Sequence, residues 1–227
     1  MIISHKHKFI YIKLRKTAGT SIEMMLSKIC GENDIITPLG SEDEIRSREK
    51  IGEARNFKIP FRKHRKREIA RLLLGYGPAY FLEHFTAQEI LNRLDEEVWN
   101  DYYKFTFDRN PFDKAVSYYY WDGGDVKFGN IREWIKQGGL RSMSSYNLYS
   151  IGNRVVVDKI YKYEEMDAGL KHLTEKLGLN TPLKLPEYRA KGNYRKVRDH
   201  REIIDPESKA MLEIMYAREL ALLDYSF

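Results

Sequence analysis

The sequence predicts an α/β fold in which helices flank a mostly parallel central sheet, forming three layers within a single domain, residues 1–227. Three observations support this prediction. Strand-like and helix-like segments alternate along the 227 residues, as in βαβ folds. Two apolar runs, Phe9–Leu14 and Tyr102–Phe107, each end in a polar turn that opens a helix. The length also suits one domain, and the chain has no internal repeat.

The first elements follow from hydrophobic period and boundary residues. Phe9–Leu14 is predicted as a strand, and the next apolar residues recur at helical spacing from Ile22 to Ile29. Residues 31–60 contain glycine, proline and mixed charge, so we expect loops there. Ala79–Leu82 is a candidate for a short strand.

The later elements have clearer boundaries. Thr86 and Glu89 form a capping box that opens a helix reaching Leu94. The strand Tyr102–Phe107 stops before Asn110-Pro111, an N-cap followed by a proline suited to the first helical turn. The remaining predictions are a helix at Ile131–Gln137, a strand at Arg154–Tyr161, a helix at Glu165–Leu177 and a last helix opened by Asp205-Pro206 with Leu212, Met215, Tyr216, Leu220 and Leu223 on one face.

Charge and composition restrict the class of protein. The net charge of +6 indicates an anionic partner, which could be a nucleic acid, a nucleotide or an acidic glycan. No apolar stretch approaches the roughly 20 residues of a membrane span, so we expect no stable membrane insertion. Residues 1–8 lack the apolar core of a signal peptide, and the single Cys30 fits a reducing compartment. We therefore expect a cytoplasmic protein.

The turn after the first strand has the composition of an anion site. Gly19 allows close backbone approach, and the helix start supplies N–H groups and the positive end of the helix dipole. Thr17, Thr20 and Ser21 add hydroxyl groups, and Lys16 adds a positive charge. The turn is P-loop-like without the G-x-x-x-x-G-K-[ST] pattern, which excludes an ordinary ATPase or GTPase loop.

The turn after the second strand carries a matching anion-binding pair. Arg109 lies at the carboxyl end of the strand, and Ser117 lies about two turns into the following helix. A guanidinium can donate two parallel hydrogen bonds to a phosphate. Because ligands bind at the carboxyl ends of the strands in open α/β sheets, we expect both turns to face one ligand.

Together the two turns resemble those of the PAPS-dependent sulfotransferases, particularly the carbohydrate-type branch. PAPS is adenosine with a 3′-phosphate and a 5′-phosphosulfate. The segment Lys16-Thr17-Ala18-Gly19-Thr20-Ser21 is similar to the family's 5′-phosphosulfate loop, and Arg109 with Ser117 to its 3′-phosphate segment. The resemblance implies PAPS as donor and a hydroxyl acceptor, a carbohydrate or glycoconjugate.

The sequence departs from the family pattern at two positions. Arg15 stands where the family often has proline, which either loosens the turn or adds a second cation near the sulfonate. Asp108 stands where the family usually has an apolar residue, which lowers the positive potential near the 3′-phosphate. The family also closes a late basic segment over the nucleotide, and here Lys191 and Arg195 are the candidates.

Two residues are predicted to be catalytic. Lys16 is placed at the oxygen that bridges phosphorus and sulfur, where negative charge grows as the bond breaks. His84 follows a short strand and precedes a helix, and the family often has its catalytic histidine between the two motifs. His84 is therefore the candidate base, with Glu83 as the alternative. This scheme requires no metal, and no Cys/His cluster has ligand spacing.

Other interpretations stay open at this point. A divergent P-loop-like nucleotide-dependent phosphotransferase is disfavoured by the missing Lys-Ser/Thr ending of a Walker A loop and by the lack of an obvious Mg²⁺-binding carboxylate after a strand. The six Lys/Arg of residues 62–71 form either a solvated surface or a seat for an acidic glycan, and they also allow a non-catalytic binder of nucleic acid or acidic polymer. No RNA-binding aromatic signature or helix-turn-helix accompanies this charge, so we expect no nucleic-acid partner. Tyr118–Trp121 is predicted as core.

Overall fold

The computed structural model describes residues 1–39, 54–186 and 195–227. Within these ranges the strands are β1 (Ile2–Ser4), β2 (Phe9–Tyr11), β3 (Ile35–Ile36), β4 (Tyr103–Asp108), β5 (Ser150–Ile151), β6 (Arg154–Val155) and β7 (Lys159–Lys162). The α-helices are α1 (Gly19–Ser27), α2 (Lys66–Leu73), α3 (Ala87–Leu91), α4 (Glu96–Asp101), α5 (Pro111–Trp121), α6 (Gly124–Lys127), α7 (Ile131–Lys136), α8 (Tyr146–Tyr149), α9 (Met166–Lys176), α10 (Pro206–Met215) and α11 (Ala217–Leu223). Short 3₁₀ helices cover Phe61–Lys63, Tyr163–Glu165 and His200–Glu202.

The central sheet has the strand order β3-β1-β2-β4-β7. β1 is antiparallel to both of its neighbours, whereas β2, β4 and β7 pair in parallel. Every strand of this sheet except β1 therefore runs in the same direction, and helices flank the sheet. The predicted α/β class with a mostly parallel sheet is confirmed. Because β2 and β4 are adjacent and parallel, the two polar turns leave the same edge of the sheet.

Alternating side chains divide the core between the two faces of the sheet. Phe9 and Tyr11 of β2 join a cluster with Phe105 and Phe107 of β4. The intervening residue Ile10 belongs to a second cluster on the other face. A third cluster lies around α5 and includes the fully buried Trp134. The sheet is therefore apolar on both faces, as a parallel sheet covered by helices must be.

The capping predictions are confirmed. The Thr86 hydroxyl accepts from the Glu89 N–H at 3.1 Å, and the Glu89 carboxylate accepts from the Thr86 N–H at 2.9 Å. At the start of α5, the Asn110 side chain accepts from the Phe112 N–H at 3.0 Å, with Pro111 in the first turn. These caps hold His84 and Arg109 close to helix starts.

Several predicted boundaries are wrong for tertiary reasons. The first strand ends at Tyr11 and pairs with an unpredicted strand, β1. The predicted strand Arg154–Tyr161 is divided between β6 and β7, which belong to different sheets. Ala79–Leu82 forms only an isolated bridge between Tyr80 and Lys58.

The C-terminal helix and the loop region also differ from expectation. The helix is broken at Tyr216, and Met215, predicted on the apolar face, is 51% exposed. Ile35–Ile36 adds an edge strand within the region expected to be loops, part of which, 40–53, lies outside the described residues. No helix in the described ranges has the length and apolarity needed to cross a bilayer.

Candidate functional site

The loop between β2 and α1 has an unusual backbone. Lys16 (φ 60°) and Ala18 (φ 58°) both adopt the left-handed conformation, which is strained for residues other than glycine. Ala18 is the N-cap of α1 and provides no side-chain cap, and the first turn of the helix contains no acidic residue. The Ala18 side chain therefore does not cap the N–H groups at this helix start, and the first turn itself contributes no carboxylate to the positive end of the dipole.

The hydroxyl residues and Gly19 of this loop are buried and act mainly through contacts within the protein. Thr17 is fully buried, and its hydroxyl donates to the Leu14 carbonyl at 3.3 Å, bracing the turn. A Cβ at Gly19 would lie 2.8 Å from the Lys13 Cγ, so glycine allows the helix to start against Lys13. Thr20 and Ser21 are 8% and 7% exposed on the first turn.

Arg109 joins the second turn to the first. Its Nη1 donates to the Lys16 carbonyl at 3.3 Å, across 93 residues of sequence. Its Nε donates to the Asp113 carboxylate at 2.5 Å, and its Nη2 also contacts that carboxylate. The guanidinium carbon lies 4.3 Å from the ring centre of Tyr163. The two predicted motifs therefore meet, and Arg109 is held in place from three directions.

Asp113 connects Arg109 with Arg195. One carboxylate oxygen binds Arg109, and the other lies 2.6 Å from Nη2 of Arg195. The Nδ1 of His200 is 4.0 Å from Asp113. Burial opposes ionisation, but the hydrogen bond from Arg195 and the charges of both arginines lower the pKa of Asp113. The structure thus brings Arg195 into the site, whereas Lys191 lies outside the described residues.

One face of α5 connects the two cationic groups. Asp113, Ser117 and Trp121 are spaced four residues apart, so they share a face of the helix. Asp113 binds Arg109, and the Nζ of Lys16 lies 5.2 Å from the ring centre of Trp121. Ser117, which is half-buried, lies between these two contacts. Lys16, Arg109 and Ser117 are therefore grouped along a single surface.

The aromatic run at the end of α5 divides between core and site. Tyr118, Tyr119 and Tyr120 are buried, in agreement with the core prediction. Trp121 is 37% exposed and carries the cation–π contact with Lys16. The prediction of core therefore fails for Trp121, because the fourth residue of the run turns toward the loop rather than the interior.

The unusual Asp108 is neutralised locally. Its side chain is buried, and the Nζ of Lys114 lies 2.7 Å from its carboxylate. The Ser145 hydroxyl donates to the same oxygen at 3.2 Å. The pairing with Lys114 balances the charge that, from the sequence, was expected to weaken the positive potential near Arg109.

His84 lies beside the first loop. Its Nδ1 is 3.0 Å from the carbonyl oxygen of Lys13. Because a carbonyl only accepts hydrogen bonds, this contact assigns the proton to Nδ1 and leaves Nε2 as an acceptor. Burial lowers the pKa of His84 to about 4, so the imidazole is neutral near pH 7. The ring therefore has the tautomer and charge of a general base.

Glu83 is committed to an ion pair. Its carboxylate lies 2.5 Å from the Nζ of Lys13, which also lies 2.7 Å from the buried Glu23 of α1. Burial opposes ionisation of Glu83, but the charge and hydrogen bond of Lys13 lower its pKa. Between the two candidate bases, the geometry favours His84.

A cleft of about 480 Å³ opens next to His84. Its described lining is mixed, with apolar, acidic and basic side chains: Arg15, Pro38, Leu39, Phe81, Leu82, Glu83, His84, Phe85 and Glu89. Arg15 precedes Lys16, so the cleft extends from the histidine to the first loop. It provides space for a small molecule beside His84.

Sequence reasoning missed three parts of this site. Lys13 lies within the predicted strand Phe9–Leu14, and a lone charge in such an apolar run is a signal of a buried ion pair. Trp121 stands four residues after Ser117, a helical spacing that places both on one face. The contact of Tyr163 with Arg109 is not predicted, because it arises only through the parallel pairing of β4 with β7.

In the described part of the chain, no group of three or more His, Cys, Asp or Glu side chains is placed to hold a metal ion.

Comparison with known proteins places this geometry in context. The family model described as "Sulfotransferase family" matches residues 1–226. An uncharacterized protein of Archaeoglobus fulgidus is 32% identical over 114 residues, which is 48% of this chain and 95% of that protein. The crystal structure of a sulfotransferase from Alicyclobacillus acidocaldarius is similar with a TM-score of 0.41 and 17% identity, covering 96% of each chain.

Proposed function

We propose that this chain, which belongs to the sulfotransferase family, transfers a sulfonate group from PAPS to a hydroxyl acceptor by in-line displacement. The observation that carries the proposal is the contact between the motifs, with Nη1 of Arg109 3.3 Å from the Lys16 carbonyl. One ligand with two anionic ends can therefore touch both. We treat residues 1–227 as a single domain that carries this activity.

The residues present fit the two anionic ends of PAPS. The loop Lys16–Ser21, with the helix start that Ala18 leaves uncapped, is proposed to hold the 5′-phosphosulfate, assisted by Arg15. Arg109 and Ser117 are proposed to hold the 3′-phosphate. Asp113 binds Nε and Nη2 of Arg109, and the Lys16 carbonyl accepts from Nη1, so one N–H of each Nη atom is left for a phosphate.

Lys16 supplies the charge that the reaction requires. Sulfonate transfer resembles phosphoryl transfer, since positioning and charge stabilisation contribute more than covalent chemistry. The bond between sulfur and the bridging oxygen breaks, and negative charge develops on that oxygen. A lysine next to this oxygen stabilises the transition state more than the ground state.

His84 completes the proton balance. The acceptor hydroxyl forms a new O–S bond and gives its proton to Nε2 of His84, while adenosine 3′,5′-bisphosphate leaves. The hydrogen bond to Lys13 holds the ring with Nε2 unprotonated. We propose that the acceptor, a carbohydrate or glycoconjugate as the family resemblance implies, enters the cleft beside His84. The single Cys30 supports a cytoplasmic setting.

Calorimetry followed by a transfer assay tests the proposal. Adenosine 3′,5′-bisphosphate is expected to bind the chain, and Arg109→Ala to weaken that binding. Labelled PAPS should then donate its sulfonate to members of a panel of neutral sugars and glycosides. Tight binding of magnesium–ATP with no affinity for the bisphosphate would contradict the proposal and favour phosphoryl transfer.

A further inference from the structure

Positive charge is dense in an exposed segment of the chain. Residues 60–78, here called the basic arm, contain six Lys/Arg and one Glu, a net charge of +5. The proposed transfer reaction uses none of these residues. The exposed cations of this segment can therefore serve an anionic partner.

The basic arm leaves the body of the protein and returns to it. At its base, the Ile59 N–H donates to the Ala79 carbonyl at 2.9 Å, and the Phe81 N–H to the Phe57 carbonyl at 2.8 Å. Between these bonds lie the 3₁₀ helix Phe61–Lys63 and α2. The arm therefore has ordered structure of its own above a closed base.

The inner side of the arm is fixed to the body by ion pairs. Arg93, which is 4% exposed, donates to the Lys63 carbonyl at 2.6 Å and contacts the Glu68 carboxylate. Asp95 pairs with Arg62 at 3.0 Å and with Lys63 at 2.9 Å. One face of α2 is thus held against the body, so the opposite face is exposed as a consequence of the fold.

The outer side of the arm combines bare apolar side chains with cations. Leu73, Leu74 and Tyr76 are 82%, 74% and 69% exposed at the end of α2. The guanidinium carbon of Arg71 lies 5.3 Å from the ring centre of Tyr76. Arg65, Lys66 and Arg67 are also exposed on this segment. Adjacent exposed leucines mark an interaction surface more strongly than scattered single ones.

From this combination we propose that the basic arm docks on the surface of an anionic lipid bilayer. Leu73, Leu74 and Tyr76 enter the interfacial region, and the surrounding cations meet anionic headgroups. A soluble acidic polymer would satisfy the cations but leave the leucines in water. A second copy of the arm would bring two segments of net charge +5 together, which is repulsive. Docking of this kind is reversible and requires no membrane-spanning helix.

Vesicle co-sedimentation tests the proposal. The whole chain is expected to sediment with phosphatidylcholine vesicles that contain phosphatidylserine, to sediment much less with pure phosphatidylcholine, and to lose binding as salt rises. Arg67→Gln with Arg71→Gln should weaken binding about 25-fold, since each cation near an anionic bilayer contributes about fivefold. Leu73→Gln with Leu74→Gln, which changes no charge, should weaken it by about tenfold or more.

Matched variants elsewhere serve as controls. Val126 and Ile214 are 83% and 79% exposed on other helices, so Val126→Gln with Ile214→Gln should leave vesicle binding unchanged. Unchanged binding of the Leu73/Leu74 variant together with tight binding to a soluble polyanion would overturn the proposal and identify an acidic polymer as the partner. Failure of the parent chain to bind anionic vesicles would also overturn it, as would equal loss in the control variant.

Discussion

The two proposed anion-binding regions of the site are built on different principles. The loop Lys16–Ser21 depends on backbone: two left-handed residues and a helix start that its N-cap leaves uncapped. The second region depends on side chains, with Arg109 and Arg195 gathered by one carboxylate, Asp113. Both nevertheless place a cation against an aromatic ring, Trp121 for Lys16 and Tyr163 for Arg109.

This difference indicates how each region should respond to substitution. Removing a side chain from the first region leaves its backbone donors in place, so binding should persist while the reaction slows. Removing a side chain from the second region takes away the donors themselves, so binding should weaken. The comparison therefore predicts a separation between turnover and affinity.

The largest effect is expected at the first region. Lys16→Ala should lower kcat by on the order of 10²–10³, because the cation acts on charge that develops in the transition state. The affinity for adenosine 3′,5′-bisphosphate should fall much less. Single-turnover kinetics with labelled PAPS and calorimetry measure the two quantities, and Lys171→Ala on the exposed side of α9 serves as control. A parallel fall in affinity and kcat would break the comparison.

His84→Gln should lower kcat by on the order of 10² with little change in cofactor affinity, since a positioned base contributes in this range. Burial lowers the pKa of His84 to about 4. The imidazole therefore stays neutral when the pH falls below 6.5, the ordinary pKa of histidine. The acid limb of kcat/KM should therefore lie near pH 4. A limb near pH 6.5, or full activity of the variant, would show that His84 is not the base.

The same pKa makes a prediction about stability. The pKa of His84 is lower in the folded chain than in the unfolded chain. Its contribution to the free energy of unfolding is therefore fully present above about pH 6.5 and is lost as the pH falls toward 4. Denaturant unfolding should show this loss for the parent chain, and His84→Gln should reduce it. An identical pH dependence in both proteins would contradict the assignment.

Arg109→Ala should weaken binding of adenosine 3′,5′-bisphosphate by about 10- to 150-fold, the range expected for hydrogen bonds to a charged group. At saturating PAPS, kcat should change much less. Adenosine 5′-monophosphate, which lacks the 3′-phosphate, provides the matched ligand: its affinity should be almost unaffected. Equal losses for both nucleotides would place Arg109 away from the 3′-phosphate.

Asp113→Asn tests the second region at its carboxylate rather than at its cations. It preserves the shape of the side chain but removes the charge that orients Arg109 and Arg195, and we expect affinity for the bisphosphate to fall by about fivefold to tenfold. In a double-mutant cycle with Arg195→Ala, the two effects should be less than additive, because both act on one ion pair. Additive effects would indicate that Asp113 does not position Arg195.

The smallest effect is expected at Ser117. Ser117→Ala removes one neutral hydroxyl donor and should weaken bisphosphate binding by about two- to fivefold, at the lower end of the range for a single hydrogen bond. Calorimetry measures this change, and the adenosine 5′-monophosphate control applies here too. No change at all would remove Ser117 from the proposed 3′-phosphate site.

Much of the fold was accessible from the sequence because its signals are local. The capping box of Thr86 and Glu89 and the Asn110-Pro111 helix start depend on residues within one helical turn. The strand at Tyr103–Asp108 was predicted with its boundaries shifted by one residue. In contrast, the split between β6 and β7 and the break at Tyr216 depend on which distant element each segment packs against.

The sequence by itself determined the two polar turns, their order along parallel strands and the cations in them, because these features depend on short-range spacing and on the periods of strands and helices. Only the tertiary structure decided which atoms meet: Arg109 with the Lys16 carbonyl, Asp113 with Arg195, and His84 with the Lys13 carbonyl. Each of these contacts joins residues separated by 71 to 93 positions. Their geometry is set by packing across the sheet, which no local pattern encodes.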